Sequence, residues 1–190
     1  MTVVSAPIRS LGMEFSGIIV LASRLYDLEG ESPGELQRFI LEGTLAHEVA
    51  HQWFHTIVGN DQLTEPWIDE SLAQYAYWLY YLDRYGDARQ AFQEFEDTWK
   101  RIKRGRIPIG RPVWSFSRRE FGPVIYGRAP LFLYALSGRM GQERFDLLLS
   151  ELVRRYEWQL IEGEVIKAVA EELCPCRLDD LWEEWVIPEH

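Results

Sequence analysis

Cysteine is almost missing from this chain: Cys174 and Cys176, one proline apart, are the only two in 190 residues. Two such residues make no disulfide framework, and a structural zinc ribbon would need four ligands, so both are expected to be ordinary thiols. Basic charge is scarce as well. Twenty Lys and Arg stand against thirty Asp and Glu, a formal net charge of -10, which argues against a nucleic-acid partner and its basic face or stripe. An acidic protein can attract a cation such as a peptide's free amine, although net charge speaks mainly to solubility. No apolar run approaches the roughly eighteen residues of a membrane span. The N-terminus also lacks a basic region followed by a signal-like apolar stretch, so the compartment is left open. Repeats and low-complexity tracts are absent too.

What is present describes a globular chain. Hydrophobic residues make up 47% and aromatics 14%, including eight Trp, nine Tyr and nine Phe. That is enough to bury a sizeable core. The length suits one domain, so residues 1–190 are expected to form a single unit.

Periodicity predicts a mainly α (α+β) fold with a small β piece at its start. Residues 1–10 enter a strand-like run almost at once. Residues 13–22, MEFSGIIVLA, are rich in β-formers around Gly17 and read as one strand or a short hairpin. Glu29 to Gly34 reads as a turn and helix start. Helical spacing runs over 35–54 and again over 67–85, where Gly86 ends it, with a polar connector at 60–66. A charged helix is expected over 87–103. A loop rich in Pro and Gly then spans 105–124, long enough to suggest function. Helices follow at 128–140, 143–158 and 162–172, with a short one at 178–185.

One motif carries chemistry. His47-Glu48-Val49-Ala50-His51 is H-E-x-x-H inside a predicted helix. Residues four apart lie one turn apart on one face, so two imidazoles can reach one ion. Glu48 flanks that ion and can take a proton from a water beside it. Zinc needs a third protein ligand and an open position. Glu70 is the natural candidate, because an antiparallel second helix would carry it back to the histidines. His55 is a poor alternative: it lies a further turn along, about 6 Å farther away, with no helix-breaking glycine between. The competing reading is two histidines packed on a half-apolar helix.

Together, HEVAHQWF and EPWIDESLAQY resemble the aminopeptidase N family of gluzincin zinc metallopeptidases. The resemblance extends from Leu11 to about Trp185, where LCPCRLDDLWEEWV is similar to the segment closing the family's catalytic domain. It implies a thermolysin-like catalytic domain holding one zinc ion through His47, His51 and Glu70. It further implies that Gly12, Met13 and Glu14 form the substrate-binding exopeptidase motif, with Glu14 on the peptide's free α-amine. Tyr126, in VIYGRAPLFLYAL, would stabilise the oxyanion, and Glu48 would be the catalytic base. Without the resemblance, Glu14 reads as a strand-surface carboxylate and Tyr126 as a core aromatic. Leu11 and Phe15 depart from the family's motif, which has glycine and asparagine there. The family's N-terminal β-domain is not in this sequence, so the resemblance is to a catalytic domain cut from a longer protein. Peptides are the expected substrates. A zinc endopeptidase, a peptidase-like binding module and a purely structural zinc are the alternatives.

Overall fold

The computed structural model describes residues 1–26, 34–102 and 105–187. Three strands open the chain: β1 (Thr2–Ala6), β2 (Gly12–Phe15) and β3 (Ile18–Ala22), in the order β1-β3-β2. The stretch 13–22 is therefore a hairpin. Phe15 pairs with Ile18 across a tight turn in which Gly17 takes φ +77°, a left-handed conformation that favours glycine. β1 adds to the other edge of β3 in parallel. Alternation then sorts the faces. Ile19 and Leu21 are fully buried, whereas Met13, Phe15 and Ile18 remain on the exposed side. Apart from Gly34, the turn expected over Glu29 to Gly34 lies outside the described residues.

Helix α1 (Glu35–Ala50) packs on this sheet and ends at its cap residue His51, earlier than the spacing predicts. The chain leaves the helical path because Phe54 bridges to Val58, and β4 (Val58–Gly59) pairs in parallel with β5 (Gln159–Leu160) about a hundred residues later. That pairing is non-local, so helical periodicity in 51–54 carries no sign of it.

Helix α2 (Trp67–Tyr85) returns antiparallel to α1 and stops at Gly86, φ +69°. The antiparallel register shows in successive contacts. Glu70 meets His47, Tyr77 lies against Gly43, and the Tyr81 hydroxyl donates to the Phe39 carbonyl at 2.9 Å. A side chain at Gly43 would reach within 2.7 Å of the Tyr77 ring, so glycine sets how closely the helices approach.

Helix α3 (Arg89–Trp99) follows, then an irregular stretch whose Ile109 and Gly110 amides donate to the carbonyls of Trp185 and Val186. A single turn, α4 (Phe121–Pro123), leads into a π-helical turn at Val124–Arg128 and then into α5 (Ala129–Met140). Helices α6 (Gln142–Tyr156), α7 (Gly163–Leu173) and α8 (Asp179–Trp185) complete the fold. The main core lies among α2 and α5–α8, around the buried Trp67, Tyr75, Phe132, Phe145 and Trp182.

One expectation is corrected. Cys174 and Cys176 are joined as a disulfide, with Cα atoms 5.1 Å apart, rather than standing as two thiols. Cys174 ends α7 in an extended conformation, as the residue before a proline prefers. Pro175 then turns the second sulfur back within bonding reach. Counting cysteines bears on frameworks and says little about so local a pair.

Candidate active site

On α1, His47 and His51 stand one turn apart with their Nε2 atoms 3.1 Å from each other. His51 is 1% exposed, and its Nδ1 lies 3.1 Å from the Phe54 carbonyl. A carbonyl only accepts, so Nδ1 carries a hydrogen and Nε2 is the ring nitrogen aimed into the cleft. Glu70, in the first turn of α2, brings Oε2 to 3.3 Å from His47 Nε2 and 3.7 Å from His51 Nε2. That oxygen is buried and accepts no hydrogen bond.

These three atoms fit a metal ion. Tetrahedral ligands at about 2.0–2.2 Å from zinc lie about 3.3–3.5 Å from one another. The observed separations bracket that spacing, and two nitrogens with a carboxylate form a donor set that zinc accepts. The electrostatics agree. Burial would raise the Glu70 carboxyl, but the two imidazoles outweigh it and hold the group well below the usual range. Burial likewise works to lower His51, and Glu70 overrides it, pushing the ring up to about 9; the Nε2 proton that the ring then carries is the one a metal ion would displace.

Glu48 is 5% exposed, and burial pushes its pKa up to about 7 against the lowering influence of both histidines. Its Oε2 is buried without a hydrogen-bond partner. The strand β2 lies directly against it. A side chain at Gly12 would overlap the Glu48 carboxylate, so any larger residue here would force that carboxylate to shift. Glu14 shares the inward face with Gly12, opposite Ile19 in the register, rather than standing on the strand's outer surface. Ligand atoms of Glu14, Glu48 and His51 all lie within 4.8 Å of one another. Met13 alternates to the other face and is 41% exposed, so only its backbone is available to the cleft. Of the two departures in the motif, Leu11 lines the cleft, whereas Phe15 points outward.

Tyr126 sits in the π-helical turn, a geometry often found at functional sites. Its hydroxyl donates to Glu70 Oε1 at 2.7 Å. Burial and the nearby Glu70 charge raise its pKa, so it remains a hydrogen-bond donor. His55 belongs to another network. Its Nδ1 is 3.3 Å from Asp69 Oδ2, and buried Asp69 also accepts from Asn60 Nδ2 and Gln62 Nε2. Three neighbours thus surround the residue before Glu70, and the His55 ring, 6.0 Å from that of His51, directs its Nδ1 to Asp69.

Around these groups runs a cleft of about 490 Å³, walled by β2, α1, α2, α3 and the Tyr126 turn. Five contributors were not anticipated from sequence. The Phe54 carbonyl orients His51. Gln52 pins the hairpin, donating from Nε2 to the Phe15 carbonyl and accepting the Gly17 amide at Oε1. Gln74 lines the cleft one turn after Glu70, which the four-residue rule could have found. Thr98 reaches it from α3 and Arg101 from the turn just after that helix, with no comparable signal in the sequence.

The peptidase family M1 domain, as a family model, matches residues 1–185. This chain belongs to peptidase family M1. Its relatives there include aminopeptidase M1-D of Oryza sativa subsp. japonica, 26% identical over 170 residues, covering 85% of this chain and 19% of the relative. The alanine/arginine aminopeptidase of Saccharomyces cerevisiae is 25% identical over 142 residues, covering 70% of this chain and 16% of its own. Among solved structures, the M1 zinc metallopeptidase of Deinococcus radiodurans superposes with a TM-score of 0.72 at 20% identity. That match covers 98% of this chain and 40% of the other. The chain spans less than a fifth of the length of these curated relatives. The M1 fold is thus shared, with its small N-terminal sheet and helical bundle. No helix among the described residues is long and apolar enough to cross a membrane.

Proposed function

We propose that this chain is the catalytic unit of a zinc-dependent aminopeptidase, hydrolysing the first peptide bond of a substrate. The observation that carries this reading is the closeness of Glu14 to Glu48 and His51. A peptide's α-amine is two bonds from its first carbonyl carbon, so an exopeptidase needs its amine partner and its base side by side. The names of the M1 relatives above, aminopeptidases and a zinc metallopeptidase, support it.

His47 Nε2, His51 Nε2 and the Glu70 carboxylate would hold one zinc ion per chain. Bound there, zinc polarises the scissile carbonyl and lowers the pKa of the attacking water toward about 7. The remaining steps belong to the protein. Glu14 holds the substrate ammonium through a charge-assisted hydrogen bond and fixes the register at one residue. Glu48, with a free acceptor oxygen in a buried setting, takes the water's proton and passes it to the leaving amine. Tyr126 turns its hydroxyl from Glu70 to the developing oxyanion. Gly12 lets the β2 backbone lie beside the base, where a peptide can run along it.

The test is a panel of aminoacyl reporters assayed with zinc supplied, then with a chelator, then with zinc restored. The expected result is release from free-amine reporters that the chelator abolishes and zinc recovers. Binding of peptides without turnover at any reporter would instead make the chain a peptidase-like binding module.

A further inference from the structure

Arg128 follows Tyr126 by two residues, and two residues apart on a helical turn face nearly opposite ways. Tyr126 reaches into the cleft, and Arg128 reaches into the protein, where it is 7% exposed. Its guanidinium carbon lies 4.3 Å from the Trp185 ring centroid and 5.2 Å from that of Trp99. Nη2 donates to the Glu184 carbonyl at 3.0 Å, at the end of α8, while Nε makes no hydrogen bond. Burial lowers its pKa, which is the mark of a costly place for a cation. An apolar chain of similar length would fill that slot without the cost. What the guanidinium adds is direction, since two aromatic faces and one carbonyl together fix its plane.

Gly127 tightens the same joint. A side chain there would come within 2.6 Å of the Trp99 backbone nitrogen, so the turn rests directly on the end of α3. The π-helical turn is therefore held by α3 beneath Gly127 and by α3 and α8 around Arg128. Tyr126 is the residue that this turn projects to Glu70.

We propose that Arg128, clamped between Trp99 and Trp185, is the positioning residue that sets where the Tyr126 hydroxyl stands in the cleft. It ties the last helix of the fold to the active site. Its effect on turnover rests on the oxyanion role given to Tyr126 above, whereas the positional effect stands without it.

The experiment places 3-fluorotyrosine at position 126 in one sample and at the core position Tyr75 in another. Fluorine NMR is then recorded on the zinc-loaded chain with and without Arg128→Met. The expected result is a shifted or broadened signal at 126 and an unmoved signal at 75. Should Arg128→Met not fold, Trp185→Phe weakens one face of the clamp and is read the same way. Kinetics supply the second readout. Tyr126→Phe should lower kcat about 10²–10³-fold with little change in KM. Arg128→Met should lower kcat on the order of ten- to a hundredfold, the cost of a misplaced group, again at constant KM. It should add almost nothing on top of Tyr126→Phe. An unmoved signal at 126 overturns the proposal, and so do equal changes at 126 and 75. A moved signal with full activity in Tyr126→Phe would keep the positioning and remove the oxyanion role.

Discussion

Glu48→Gln should lower kcat by about 10²–10⁴-fold, the usual contribution of a positioned acid–base group, while zinc affinity stays almost unchanged. The side chain is not one of the three converging donors, and its buried Oε2 is an unused acceptor beside them. Glutamine keeps the shape against Gly12 but cannot accept a proton from the attacking water or return it to the leaving amine. The fold should be retained, because no hydrogen bond of Glu48 is replaced. Measured kcat and zinc content for the purified variant decide the matter. Loss of zinc would make Glu48 a ligand, and full activity would move the base elsewhere. The same pair of readouts excludes a purely structural zinc, for which Glu48 would have no effect on turnover.

Glu14→Ala should divide substrates into two classes. A hydrogen bond to a charged group contributes about 1.5–3 kcal/mol, so free-amine peptides should lose about 10- to 150-fold in kcat/KM. N-acetylated counterparts carry no ammonium and should change hardly at all. The geometry favours this outcome. Glu14 faces inward beside Glu48, and Gln52 anchors the hairpin turn that follows it, so β2 is held in place. In the wild type the free-amine substrate should be much the faster of a matched pair. Equal wild-type rates for the two would mean an endopeptidase, with Glu14 contributing only charge to the cleft wall.

How much of this was legible in the sequence follows from the range of each interaction. His47 and His51 were readable because a helix alone fixes their relation. Glu70 was readable because a connector and a following helix of predicted length return antiparallel. His55 reads as a poor ligand only on a continuing helix; α1 has already ended at His51, and the structure places His55 Nδ1 3.3 Å from Asp69 Oδ2. The inward aim of Glu14 required knowing which face of β2 is buried, and exposed Met13 and Phe15 left that open until the register was seen. The early end of α1 depends on β4 meeting β5, and the Cys174–Cys176 bond depends on one proline's geometry. The π-helical turn packs through Arg128 against Trp99 and Trp185, which are remote from it in sequence. None of these leaves a local periodic signal.

Anomalous diffraction at the zinc edge, on crystals of metal-stripped chain reloaded with one equivalent of zinc, tests the central claim most directly. The account predicts one peak, about 2.0–2.1 Å from His47 Nε2 and His51 Nε2 and about 2.0–2.2 Å from a Glu70 oxygen. A peak at His55 and Asp69, or one bound with Glu70 turned away, would contradict it.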